Sequence, residues 1–410
     1  MDLKGAISRR FEKYVRIDTE SDEDSKTFPS TKKQLVLARL LAAELRAIGA
    51  KKVKLDKYGY VTAEIPATVK GKRPVIGLLA HMDTAPAAPG AGVRPQLHRA
   101  WKGGDIVISR KHKLVLNTKN CPELAACRGE DIYTASGDTL LGADDKAGIA
   151  IIMSAAEYLL RHKEIPHGVL KIGFTPDEEV GQGVKYFNVR AFGADYAYTF
   201  DGDVAGAVEE ETFNADGVKI TITGKSVHPG TAKGALANAA RIAADLVAAW
   251  PEHLLPENTE KREGFIMFTD IAAGIEKAEV AGIAREHDLK KLKAMERQLE
   301  AIAAALRLKY PLAKIELSFK EQYRNMKEVI ARHPRVMENL LAAVRQAGLA
   351  PHVKPVRGGT DGARLSFMGL PAPNVFTGGY NYHGRYEWVS LDGMNKSAEV
   401  LVNLARKWAE

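Results

Sequence analysis

Cysteine is nearly absent from this chain: Cys121 and Cys127 are the only two in 410 residues. A disulfide-stapled secreted scaffold uses cysteine far more densely, so the expectation is a reduced, cytoplasmic protein. Long hydrophobic runs are missing as well. The opening MDLKGAISRRFEKYV has no cationic stretch leading into an apolar one, and no later run makes an uninterrupted span of about 20 residues, so neither a signal peptide nor stable membrane insertion is expected. There is no tandem repeat and no long low-complexity linker. Charge of one sign is not in large excess, since 59 basic against 51 acidic residues leaves a net +8. That balance does not by itself call for a nucleic-acid partner. RGGTDG and GGYNYHG are glycine-rich, but no GxxxxGK[ST] and no early strand followed by GxGxxG occurs, so nucleotide binding is not expected either.

The remaining composition is that of an ordinary globular protein, with 45% apolar and 27% charged residues. At about 150 residues per domain the length allows two to three domains. Residues 5–17 and 35–50 have helical periodicity, KKVKLDKYGYVTAEIPA suggests two short strands around a turn, and RPVIGLLAHMD is a buried-type strand. A helix over DDKAGIAIIMSAAEYLLRHKE and a strand over GVLKIGFTP follow. This strand, helix, strand order argues for an α/β sheet with polar strand ends available for chemistry. From about 211 to 325 the pattern becomes β-α-β-β-α-β, which reads as a smaller α+β domain inserted into a larger one made of 1–210 and 326–410. A helix near 327–348 and a final one over MNKSAEVLVNLARKWAE complete the larger domain.

Five separated strings carry acids or histidines at element ends. LLAHMDTAP places His81 and Asp83 two apart at a strand end, on one side of a regular strand. His81 has the chemistry to ligate a divalent cation, and Asp83 to orient its other ring nitrogen. LLGADDKAG presents Asp144 and Asp145 before a helix, where one carboxylate can bridge two cations. In FTPDEEVG the neighbours Glu178 and Glu179 diverge on regular backbone, which suits one to metal and the other to proton transfer. Asp201 in YTFDGD and His383 in GGYNYHG complete the set. Each string alone is an unremarkable turn or helix start. Together His81, Asp144, Glu179, Asp201 and His383 suit a pair of zinc-like cations better than a cysteine-rich structural site.

HMDTAP, TLLGADDKAG, FTPDEEVG, SVHPGTAKG, RGGTDGARLSFMGLP and FTGGYNYHG occur in this order, and with them the chain resembles the tripeptide aminopeptidases of the aminoacylase and carboxypeptidase-like zinc metallopeptidase family, essentially end to end. The resemblance implies a three-layer α/β catalytic domain with an inserted lid or dimerisation domain. It also implies two Zn2+ per subunit, replaceable by Co2+ or Mn2+. Asp144 is then the bridge, His81 and Asp201 complete one cation's ligands, and Glu179 and His383 complete the other's. Glu178 is the implied general base, and Asp83 the partner of His81. His228 is the implied oxyanion group, reaching across a homodimer, and Arg285, Asn325 and Arg357 are implied in peptide or carboxylate recognition. The implied reaction releases the N-terminal residue of short unblocked peptides, especially tripeptides. Dipeptidases, carboxypeptidases and N-acyl-amino-acid deacylases share the catalytic strings and stay open as alternatives. The TAKG continuation after His228 and the YNYHG string favour the tripeptide enzymes, while Arg364 and Trp388 depart from their commonest pattern.

Overall fold

The strand Ile76–His81 is buried at every position, as a strand covered on both faces must be. Its alternate side chains enter different cores: Ile76, Leu78 and Ala80 join the main cluster, whereas Leu79 packs with Phe187, Phe192, Leu365 and Leu370. In the computed structural model, which describes residues 1–410, this strand lies inside an eight-stranded mixed sheet. The strand order is Lys51–Leu55, Val61–Ile65, Leu170–Thr175, Ile76–His81, Tyr196–Gly202, Asn374–Phe376, Ala207–Glu211 and His352–Pro355. The four strands from Leu170–Thr175 to Asn374–Phe376 run parallel, so their C-terminal ends share one edge. That edge is where α/β sheets bind ligands, because the chain leaves each strand there in a turn free to carry chemistry.

Helices supply the layers. Lys4–Val15 buries Ile7, Phe11, Tyr14 and Val15 at helical spacing. Ala143–Arg161 is buried almost all round, with Leu391–Lys407 and Lys4–Val15 packed against it. The helix expected near 327–348 is two, Lys327–Ile330 and Pro334–Gln346. Pro334 disfavours the helical conformation at His333 and is itself well placed as a first helical residue, so the break falls before it.

Between 84 and 137 the sequence suggests no strands, yet several form. Gln96–His98, Ile132–Thr134, Trp388–Ser390 and Gly379–Tyr380 make an antiparallel sheet, and Ile106–Ser109 pairs with Leu114–Leu116. Strands of two to four residues are too short to show a period. Their core gathers Trp101, Ile108, Leu124, Tyr380 and Trp388 around Cys121 and Cys127, which are buried free thiols. Trp388 Nε1 donates to Cys121 Sγ at 3.3 Å. Gly379–Tyr380 and Trp388–Ser390 therefore anchor both ends of the loop that carries His383.

The chain divides into two compact units, Met1–Glu210 with Met326–Lys354 and Thr360–Glu410, and Glu211–Asn325 with Pro355–Gly359. The second unit is a four-stranded antiparallel sheet ordered Phe265–Ala273, Lys277–Glu286, Asn214–Thr223, Lys314–Tyr323. Val218, Ile220 and Ile222 pack on Ile242, Leu246 and Leu299 of the helices Ala239–Ala248 and Leu289–Lys309. Pro355–Gly359 joins it through backbone bonds: Val356 N–H donates to Glu211 O at 2.8 Å and Phe213 N–H to Gly358 O at 3.3 Å. No helix is long and apolar enough to cross a membrane.

Candidate metal centre

Strand register brings the first two groups together. His81 lies opposite Thr175, and Leu79 lies opposite Thr199, so two residues further on Asp201 is level with His81. His81 Nε2 is 2.8 Å from Asp144 Oδ1 and 3.5 Å from Asp201 Oδ1. Its Nδ1 is 3.1 Å from the backbone oxygen of Asp83, with Asp83 Oδ1 at 3.4 Å. A carbonyl can only accept, so Nδ1 carries a proton and Nε2 is left to face the carboxylates.

Asp144 comes from the start of the helix Ala143–Arg161, just after Gly142, whose φ of 77° takes the left-handed turn that glycine favours. The other Asp144 oxygen, Oδ2, lies 3.1 Å from His383 Nε2, and that nitrogen is 2.9 Å from Glu179 Oε2. One carboxylate thus stands between two imidazoles, each of which also meets a second carboxylate. Ligand atoms of His81, Asp144 and Glu179 all lie within 4.8 Å of one another, and so do those of His81, Asp145 and Asp201. Asp145 is also committed to backbone: its Oδ2 accepts from His81 N–H and its Oδ1 from Gly148 N–H, both at 3.1 Å. The Asp144–Asp145 peptide is cis.

The donor set fits divalent cations. Glu179 Oε1 is buried with no hydrogen-bond partner, an acceptor held dry. Burial pushes Glu179 up to about 7 and Asp201 up to about 6, with Asp144 adding to both. Burial also drives Glu178 well above the usual carboxylate range. Asp144 is held below that range because, against its burial, hydrogen bonds from His383 and His81 favour its charge. Hydrogen bonds to Asp144 and Glu179 raise His383 to about 11. His81 rises well above its ordinary value although burial opposes it, through Asp144, Asp201 and Asp83. The cluster draws positive charge to its centre, and hard oxygen plus imidazole donors are what zinc-like ions take.

Glu178 and Glu179 leave the strand end on the turn after Thr175. Asp83 Oδ1 accepts from Glu178 N–H at 2.9 Å and Oδ2 from Glu179 N–H at 3.1 Å, so Asp83 serves the acidic turn as well as His81. Glu178 borders a small cavity with His81, Thr175, Thr199, Asp201 and Asp361. Sequence reading missed Glu387. Its buried carboxylate accepts from the N–H groups of Leu141 at 2.6 Å, Gly142 at 2.8 Å and Asp144 at 3.1 Å, and so holds the turn that presents Asp144. An acid four residues after His383 was the only signal. Asp361, bonded to Thr175 Oγ1 at 2.7 Å, was missed for the same reason.

The remaining candidates lie in the second unit. His228 is exposed beside the turn Pro229–Thr231, and its Nδ1 accepts from Gly230 N–H at 3.1 Å. Asn325 is buried: Oδ1 accepts from Thr212 N–H and Nδ2 donates to His287 O, both at 3.1 Å. Arg357 donates from Nη1 to Lys261 O and Glu263 O at 2.9 Å and from Nη2 to Thr259 Oγ1 at 3.0 Å. Arg285 donates from Nη1 to Arg357 O at 3.5 Å, while its buried Nε has no partner.

Comparison with known proteins decides the family. The family described as peptidase family M20/M25/M40 matches residues 140–407. Peptidase T of Caldanaerobacter subterraneus subsp. tengcongensis is 46% identical over 404 residues, covering 98% of this chain and 99% of that one. The chain belongs to peptidase family M20/M25/M40. Peptidase T of Geobacillus kaustophilus is 47% identical over 404 residues, with 98% of each chain covered. The crystal structure of aminopeptidase PepT from Bacillus cereus shares the fold with a TM-score of 0.77 at 22% identity, covering 99% of both chains. The protein is thus a metal-dependent peptide-bond hydrolase of this family, and two clusters of His, Asp and Glu side chains in it can coordinate divalent metal.

Proposed function

We propose that the protein is a zinc-dependent tripeptide aminopeptidase acting on unblocked peptides, with Asp144 bridging two cations. The observation that carries the bridge is the placement of its two oxygens, one on His81 and one on His383. In this reading His81 and Asp201 hold one cation, and Glu179 and His383 the other. When bound, such a pair polarises the scissile carbonyl and lowers the pKa of water.

Glu178 takes the proton of the attacking water and returns it to the departing amine. A carboxyl raised by burial suits both transfers, because it takes up a proton more readily than an ordinary carboxylate and has it to return. Asp83 keeps the His81 ring and the Glu178 backbone in register. His228 stabilises the oxyanion in a homodimer, a role supported by its exposed imidazole on a short turn. Arg285 takes the peptide carboxylate, supported by its unpartnered Nε. Asn325 and Arg357, whose side chains are engaged within the unit, shape the same recognition surface. The tripeptide preference is carried by the likeness to two peptidase T proteins along nearly the whole chain. Two free buried thiols support a cytoplasmic setting.

The test is hydrolysis by zinc-loaded protein of free di-, tri- and tetrapeptides and of N-acylated tripeptides. Release of the N-terminal residue from free tripeptides alone is expected. Preference for the acylated substrates would overturn the aminopeptidase reading.

A further inference from the structure

The turn that carries Glu178 and Glu179 has three successive N–H groups, and each is held by a buried side chain. Asp83 takes those of Glu178 and Glu179, and the third, on Asp177, donates to Gln34 Oε1 at 3.1 Å. Gln34 sits at the start of the helix Gln34–Ala47 and is fully buried. Its Nε2 donates back to Asp177 Oδ1 at 2.6 Å, so one amide grips both the backbone and the side chain of Asp177. Ser30 closes the clamp: its N–H donates to Asp177 Oδ2 at 2.6 Å and its hydroxyl to Oδ1 at 2.5 Å. A buried carboxylate with three donors and no cation is a costly arrangement unless its geometry is specified, and here every partner is fixed.

We propose that Gln34 and Asp177, with Ser30, are positioning residues that set the direction in which Glu178 and Glu179 leave the turn. None of the three belongs to the proposed ligand set, and the Asp177 carboxylate bonds to Ser30 and Gln34. Asp177 adopts φ of 59°, a conformation that aspartate and asparagine tolerate better than most residues, and it lies directly before the proposed base. Its chemistry explains why an acid stands first among the three acids of FTPDEEVG: the carboxylate accepts from Ser30 and Gln34 while the backbone turns. The inference rests on Glu178 as the base and Glu179 as a ligand.

The clamp's polarity can be exchanged. Asp177→Asn leaves a donor facing Gln34 Nε2, and Gln34→Glu sets two carboxylates against each other. Combined, the new amide keeps the Ser30 N–H on its oxygen and donates to the Ser30 hydroxyl and to the new carboxylate, while the Ser30 hydroxyl turns its own proton to that carboxylate. The bonds among the three residues close again, and only the 3.2 Å bond from Gln34 Nε2 to Thr31 Oγ1 is lost. Each single variant is expected to lose about 10- to 100-fold in kcat with KM within about twofold, the loss typical of a misplaced catalytic group. The pair should recover most of it. In metal-free protein, amide exchange over 177–181 should quicken in each single variant and slow again in the pair. Unchanged kcat and exchange in both single variants, or a pair no better than the worse single, would overturn the proposal. Glu178→Gln run in parallel separates the two readings: if it stays active the base assignment fails, and the exchange pattern then decides the clamp.

Discussion

Buried carboxylates occur in both units, with opposite partners. In the inserted unit Asp216, 1% exposed, meets Arg324 Nη1 at 2.5 Å and Lys293 Nζ at 2.7 Å. Burial opposes its charge, yet hydrogen bonds from Glu296, Arg324 and Lys293 bring it down to about 2. In the larger unit Asp144, Glu179 and Asp201 meet imidazoles rather than lysine or arginine. Permanent cations make the first cluster complete within the protein. In the proposed reading an ion from solution completes the second, and the type of counter-charge then separates a structural acid from a functional one more sharply than burial does.

Breaking the metal side of this contrast should have the largest effect. Asp144→Ala removes the one carboxylate common to both imidazoles, so elemental analysis should find both equivalents of bound zinc reduced, with hydrolysis lost. Retention of two equivalents would refute the bridge. Breaking the other side should cost stability and spare chemistry. Arg324→Met is expected to destabilise the protein by about 3 kcal/mol, as for a buried pair missing one partner, measured by denaturant unfolding with zinc content unchanged. A coupled loss of zinc would show that the two clusters are not independent.

The smallest effect is pH-dependent. Asp216 is depressed in the folded state, so its stabilisation is present above its unfolded pKa of about 4 and is lost as pH falls through about 2. Burial and Asp216 raise Glu296 to about 7 against the pull of Lys293, so its contribution is complete below about 4 and is lost as pH rises through about 7. The cluster is therefore most stabilising near pH 4. Glu296→Gln, which keeps a donor toward Asp216, should flatten the decline between pH 4 and 7 in denaturation midpoints. An undiminished decline would place the titrating group elsewhere.

Much of this was legible from residue order. The buried strand ending in His81, the strand before Glu178 and the β-α-β-β-α-β insertion all follow periodicities that burial imposes on long elements. The five metal-site candidates stood out because acids and histidines follow apolar strands or begin a buried helix. Glu387, Gln34 and Asp361 did not stand out. Their work is to accept from or donate to groups 143 to 246 positions away, and no local pattern encodes that distance. The short strands of the Cys121 and Trp388 core escaped because two to four residues carry no period.

By itself the sequence determined which segments are strands or helices of useful length, which polar groups sit at their ends, and, through ordered motifs, the family. Tertiary structure alone decided that Asp144 faces two imidazoles, that Asp83 serves the acidic turn as well as His81, and that Asn325 and Arg357 bond within their own unit. The physical reason is range. Local propensity and burial act over one element, whereas a ligand's direction is set by hydrogen bonds and sheet register between segments that meet only when the chain has folded.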